Sequence, residues 1–231
     1  MHDVDFDLIR GFYKVRDIKN LTNNAKKIIL LALESNCLQQ KMYYHPLSFC
    51  YSVLHKFPNN ETIRLHIWNT QIYDIKPPLD IHDHYYKVNS FVICGCIINQ
   101  LYQVNETANN SEMNLFEGGY SKSGDRELIK TTKEYEVIAN KYETYCMGEI
   151  YTIEHDEVHS GGSVDHKIAA TLVYTEQPLD RPPLVFGRKD LPDTLMYNLQ
   201  PVSNDICYQL LLGVNHEINA TFTAKNLQTK K

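Results

Sequence analysis

The sequence predicts a mainly β protein, a barrel or sandwich preceded by helices. Helical spacing of apolar residues is confined to the N-terminal part, alternation typical of strands begins near residue 61, and proline-rich or Gly/Asn-rich breaks separate the strands. At 231 residues the chain is long enough for one large β domain. We therefore predict a single domain, with a helical N-terminal segment (1–57), a barrel (58–178) and a C-terminal extension (179–231).

Two helices are predicted near the N-terminus. Apolar residues recur at helical spacing in 5–13, and again in 25–34 after the pair Asn23-Asn24. The helical region is expected to end at Pro46, because proline disfavours continuation of a helix.

Strands are predicted from the first alternating run, 62–68. One face of this run is aliphatic and the other polar or aromatic: Ile63, Leu65 and Ile67 against Arg64, His66 and Trp68. Further strands are predicted at 85–94, 96–104, 135–138, 142–147 and 167–174. A short helix is expected near 205–211, after several prolines.

Composition excludes several classes of function. The net charge of −5 and the lack of a long basic run argue against general nucleic-acid binding. No apolar run approaches the roughly 18 residues of a membrane-spanning helix, and the acidic start lacks the features of a signal peptide. We therefore expect a cytoplasmic protein without a membrane partner. In that compartment the six cysteines are expected to be buried thiols rather than disulfides.

A pair of histidines, His82 and His84, indicates a metal site. Residues i and i+2 of a strand share a face, so both imidazoles can reach one ion. Neutral imidazole suits zinc, copper, iron and nickel. A third imidazole must come from another segment, and 148–159 supplies two candidates. His159 is favoured by its spacing, with His155 as the alternative.

Nearby side chains could serve a substrate. Tyr86 shares the parity of the two histidines, so it is expected to point into a pocket, as a proton donor or as part of the wall. Arg64 could bind a carboxylate in a bidentate manner; the alternative is that its face of the strand meets solvent or the helices. Asp83 should point away from the ion. Asp156 and Glu157 could orient an imidazole, or could simply be surface acids.

These residues resemble the two motifs of the cupin superfamily. The first motif is His-x-His, a glutamate and then a glycine, and the second runs from a glycine through Pro-x-Gly to a histidine and an asparagine. Positions 82, 84 and 95 fit the first motif, with Val88 in place of the glutamate. Gly148 and His159 fit the second at the expected spacing, whereas Glu154, Asp156 and Ser163 replace its proline, second glycine and asparagine. The resemblance covers roughly 61–175.

The resemblance implies a cupin-like jelly-roll barrel with a metal in its mouth, held by His82, His84 and His159. An apolar side chain at Val88 then points to where many cupins place a carboxylate ligand. Three neutral imidazoles would leave a divalent ion its full charge and open positions, which is what a catalytic metal requires.

The chain is similar in ligand number to cupins of the cysteine dioxygenase type. These have Ser-x-His-x-Tyr after the third ligand, whereas 171–174 differs here, so no thiol substrate is predicted. The resemblance implies an iron(II) enzyme that uses dioxygen to oxidise a small polar metabolite. The strand positions of Tyr86 and Arg64 make them the candidate catalytic residues of such an enzyme. Zinc, nickel or copper would fit the same ligands. Two alternative functions stay open: a metal-dependent lyase or isomerase, and a non-catalytic binding module. The resemblance also implies that the protein could form a homodimer.

Overall fold

The computed structural model describes residues 3–107, 111–119, 125–164 and 167–228, with side chains as far as residue 220. Of the chain, 44% is strand and 22% is helix, so the prediction of a mainly β fold is confirmed. The elements are α1 (Phe6–Lys14), α2 (Ile18–Ser35), β1 (Tyr43–His45), β2 (Phe49–Lys56), β3 (Thr62–Trp68), β4 (Ile81–His82), β5 (Val88–Cys94), β6 (Cys96–Glu106), β7 (Met113–Glu117), β8 (Arg126–Cys146), β9 (Ile150–Ile153), β10 (Val158–Ser163), β11 (Ala169–Thr175), β12 (Val185–Arg188), β13 (Thr194–Tyr197), β14 (Gln200–Pro201) and α3 (Asn204–Gln228).

The N-terminal helices begin at aspartate caps. The Asp5 carboxylate accepts the Leu8 N–H at 3.1 Å, and that of Asp17 accepts the Asn20 N–H at 3.0 Å, which satisfies amides that lack a partner within the helix. The second helix thus starts earlier than predicted. It ends at Ser35, and β1 and β2 follow, so the predicted helical segment 1–57 is wrong beyond that residue.

Two seven-stranded sheets form the β structure, and their described pairings are antiparallel. The first sheet has the order β14-β1-β2-β3-β11-β5-β9 and the second β13-β8-β6-β10-β4-β12-β7, with β8 also paired to β7. The strands in 43–56 and 185–201 lie outside the predicted barrel (58–178), but they pair with its strands and belong to the same two sheets.

Two elements are longer than the sequence predicted. The short strands expected at 135–138 and 142–147 are one continuous strand of 21 residues, β8, whose many charged side chains are exposed and obscure the alternation. The helix expected near 205–211 is α3, which has 25 residues. Within the described ranges, no helix has both the length and the hydrophobicity needed to cross a bilayer.

The main core lies between the helices and the outer face of the first sheet. Ile63, Leu65 and Ile67 of β3 are fully buried there, in one cluster with apolar residues of all three helices. The Tyr13 hydroxyl of α1 donates to the Leu172 carbonyl of β11 at 2.5 Å. This packing directs the opposite face of β3 towards the second sheet.

A disulfide joins Cys96 and Cys146, which stand opposite each other in β6 and β8. The expectation of six free thiols is therefore wrong for this pair, although the other four cysteines are free. The two residues are 50 apart in sequence and become neighbours only through the register of two long strands. The cytoplasmic location stays a prediction.

Candidate metal centre

The three predicted histidines converge at the second sheet. His82 ends β4 and lies directly opposite His159 of β10, and His84 follows two residues later. The Nε2 atoms of His84 and His159 are 3.1 Å apart, and one ligand atom from each of the three residues lies within 4.8 Å of the others. The group could hold a metal ion. His155 is exposed and outside it, so the third member is His159.

Two of the three imidazoles, those of His82 and His159, are oriented by hydrogen-bond acceptors on the side away from the group, as is usual for metal ligands. His82 Nδ1 lies 2.9 Å from the Asp80 carbonyl, which can only accept, so its proton sits on Nδ1 and Nε2 keeps its lone pair. His159 Nδ1 lies 2.7 Å from Asn99 Oδ1, an amide oxygen that also accepts, so Nδ1 carries the proton and Nε2 keeps its lone pair here too. Such outer partners fix the tautomer and increase ligand basicity. The three residues therefore fit a divalent ion.

The sequence did not identify Asn99 as the partner of His159. Asp156 is exposed, and the Glu157 carboxylate accepts the Glu154 N–H at 2.7 Å, so neither predicted acid takes that role. One signal was present: Asn99 shares the inward face of β6 with Ile97, and a polar residue at a buried position requires a partner.

Burial keeps the imidazoles neutral. It lowers the pKa of His82 to about 4, and it lowers the pKa of His84 and of His159 well below the usual range, with the neighbouring histidines adding to the effect. Neutral imidazole is the form that binds a metal, so the group is ready to coordinate at neutral pH.

The backbone around His84 is held by Arg181. Its Nη2 lies 2.9 Å from the carboxylate of the buried Asp83, donates to the His84 carbonyl at 3.0 Å, and also donates to the carbonyl of His155. The other Asp83 oxygen accepts the Leu184 N–H at 2.6 Å. Asp83 is accordingly not a member of the histidine group, as the sequence predicted, and serves to fix the segment that carries it.

A cavity of about 340 Å³ lies between the two sheets, and the histidine group forms part of its wall. Arg64 and Tyr86 both line it, which excludes the alternative that Arg64 faces solvent or the helices. Arg64 Nη1 donates to the Tyr86 hydroxyl at 3.2 Å, and the Tyr86 ring stacks on His84 with centroids 5.3 Å apart. Val88 also lines the cavity, on the side its strand position predicts. The catalytic roles of Arg64 and Tyr86 stay predictions.

An aromatic wall lies next to this polar region of the cavity. Phe49 stacks on His45 and on His66, with centroids 4.2 and 4.7 Å apart, and it also contacts Trp68. Burial lowers the pKa of His66 to about 3 and that of His45 well below its usual range, so both rings act as neutral surfaces. The sequence did not identify His45, because the adjacent Pro46 indicated only the end of a helix.

Comparison with known proteins adds no family assignment. No protein-family model matches the chain, and no curated protein matches it. The resemblance to cupins stays a prediction from the histidine and glycine motifs of the sequence.

Proposed function

We propose that the protein is a mononuclear metal enzyme of the cupin type, in which His82, His84 and His159 hold one iron(II) ion for the oxygen-dependent oxidation of a small polar substrate. The observation that carries the proposal is the convergence of three neutral imidazoles, two of them oriented by outer hydrogen-bond acceptors, on one side of a cavity between two sheets. The two facing sheets support a jelly-roll arrangement of the cupin kind. Bound iron would supply electron transfer to dioxygen and open positions for ligands.

The role of Arg64 in this proposal is to bind an anionic group of the substrate. Its Nε donates to Thr62 Oγ1 at 2.8 Å and its Nη1 donates to the Tyr86 hydroxyl, so the guanidinium plane is fixed within the cavity wall. A fixed guanidinium recognises a carboxylate or phosphate better than a mobile ammonium does. Arg64 lies beside the ring that stacks on His84, so an anion bound by this guanidinium would lie close to the histidine group.

Tyr86 is the residue best placed to hold or move a proton. Because Arg64 donates to the Tyr86 oxygen, the hydroxyl hydrogen stays available for a substrate atom. Val88 and the aromatic wall give the cavity an apolar lining, and such a lining strengthens polar contacts to a bound substrate.

The test is metal content together with oxygen uptake. Three proteins are compared: the wild type, His82→Ala, and His155→Ala as the matched control. Each is prepared both without added metal and after loading with iron(II). We expect one bound metal per chain in the wild type and the control and none in His82→Ala. Unchanged metal content in His82→Ala would remove the site.

Oxygen consumption then separates the reaction classes. Uptake coupled to substrate loss, present in the control and absent in His82→Ala, supports the oxidase or oxygenase proposal. Metal-dependent turnover that proceeds equally without oxygen would instead favour a lyase or isomerase on the same site.

A further inference from the structure

A second arginine lines the cavity from the opposite side. Arg64 belongs to β3 of the first sheet, whereas Arg126 is the first residue of β8 in the second sheet, and both contribute to the cavity wall. Arg126 stands opposite Tyr197 of β13, which lines the cavity as well. Two guanidinium groups therefore approach one cavity from two sheets.

The described lining carries more positive than negative charge. Asp83 is its only carboxylate among the described residues, and that carboxylate is in an ion pair with Arg181. His45 and His66 are kept neutral by burial, so the net charge of the lining is set by the arginines and Asp83. A cavity lined mainly by one sign of charge attracts ligands of the opposite sign.

The histidine group lines the same cavity as the two arginines. A ligand in that cavity therefore lies beside the three imidazoles and between the strands of two sheets that each contribute one arginine.

We infer that the substrate is a small dianion that spans the cavity, with one anionic group bound by Arg64 and the second by Arg126. The aromatic wall of Phe49, His66 and Trp68 receives its carbon skeleton. A carboxylate or a phosphate at the Arg126 end satisfies the same guanidinium chemistry. The assignment of this ligand as the substrate rests on the proposed function, whereas the anion subsite itself is tested by binding alone.

The test compares acids of equal carbon number on protein loaded with zinc, which is redox-inert. Isothermal titration of succinate and butyrate should show succinate binding at least tenfold more tightly to the wild type. Arg126→Gln should lose at least tenfold in succinate affinity with butyrate affinity unchanged within twofold. Arg126→Lys should keep part of the preference, which guards against a folding defect. 3-Phosphonopropionate reports whether a phosphoryl group is preferred at the Arg126 end.

Arg188→Gln is the matched control, because Arg188 is exposed and paired with Asp190 away from the cavity. It should bind both acids as the wild type does. Equal binding, or no binding, of the two acids by the wild type would overturn the inference, as would an unchanged preference in Arg126→Gln. His82→Ala separates the two proposals. If this variant loses the metal but keeps the preference for succinate, both proposals are confirmed, whereas if it keeps the metal, only the metal site is ruled out. If the metal-loaded wild type shows no preference for succinate, only the anion subsite is ruled out.

Discussion

The two faces of the first sheet differ in what they contact and therefore in what they contribute. The outer face of β3 presents Ile63, Leu65 and Ile67, which are fully buried against the helices. The inner face presents Arg64 and His66, which line the cavity. A single strand thus contributes apolar burial on one side and polar chemistry on the other. Substitutions on the two faces should separate stability from metal and ligand binding.

The largest effect is expected from Leu65→Ala on the outer face. It removes a fully buried side chain and should lower the free energy of unfolding by about 2–5 kcal/mol, while metal content of the folded protein is unchanged. Urea denaturation measures the loss. Leu8→Ala is the matched control, because Leu8 is 56% exposed on α1. If Leu65→Ala and Leu8→Ala lowered the free energy of unfolding equally, the outer face of β3 would not be part of the main core.

A smaller effect, on metal affinity, is expected from Asn99→Ala. The variant removes the acceptor behind His159 and should weaken metal binding by roughly 10–100-fold, as is typical for outer partners of ligands. Competition with a chelating dye measures the affinity. Asn99→Asp should restore most of it, because a carboxylate accepts the same N–H. An affinity unchanged in Asn99→Ala would mean that the tautomer of His159 is fixed by another contact.

The smallest effect concerns pH and the neutral histidine of the inner face. Burial lowers the pKa of His66 to about 3, against about 6.5 in an unfolded chain, so below pH 6.5 the unfolded state binds more protons. Stability should therefore fall as the pH decreases from 6.5 towards 3. His66 alone should contribute up to about 1.4 kcal/mol per pH unit to this decrease in the free energy of unfolding.

Metal-free wild type and His66→Phe should therefore differ in slope between pH 7 and pH 5. Urea denaturation at each pH gives the free energies, and the variant should lose less stability than the wild type over that interval. The same slope for both proteins would show that His66 is accessible to protons in the folded state.

Much of the fold could be predicted because it depends on local pattern. The face division of β3 follows from strict alternation, and β11 was indicated by a run of apolar residues that is buried throughout. β1 and β2 were not predicted, since Tyr43–Lys56 lacks alternation and contains a proline that indicated only a helix end. β8 was predicted in pieces because its exposed charged residues hide the strand period.

The site could be predicted only where spacing along one segment determines it. His82 and His84 share a face by strand geometry, and the motif spacing supplied His159. Asn99 and Arg126 could not be placed, because the contact of Asn99 with His159 and the position of Arg126 in the cavity wall depend on how strands far apart in sequence pair. The disulfide between Cys96 and Cys146 likewise depends on the register of β6 and β8.

Arg181 has a consequence for how the protein would respond to chelators. It links the carboxylate of Asp83 to the carbonyls of His84 and His155, so the loop bearing a ligand is shaped by the protein's own contacts. Small zinc-dependent folds, by contrast, lose their structure when stripped of the ion. Here the chain should keep its native fold in the presence of a chelator, and any metal that the histidine group binds should rebind once the chelator is removed.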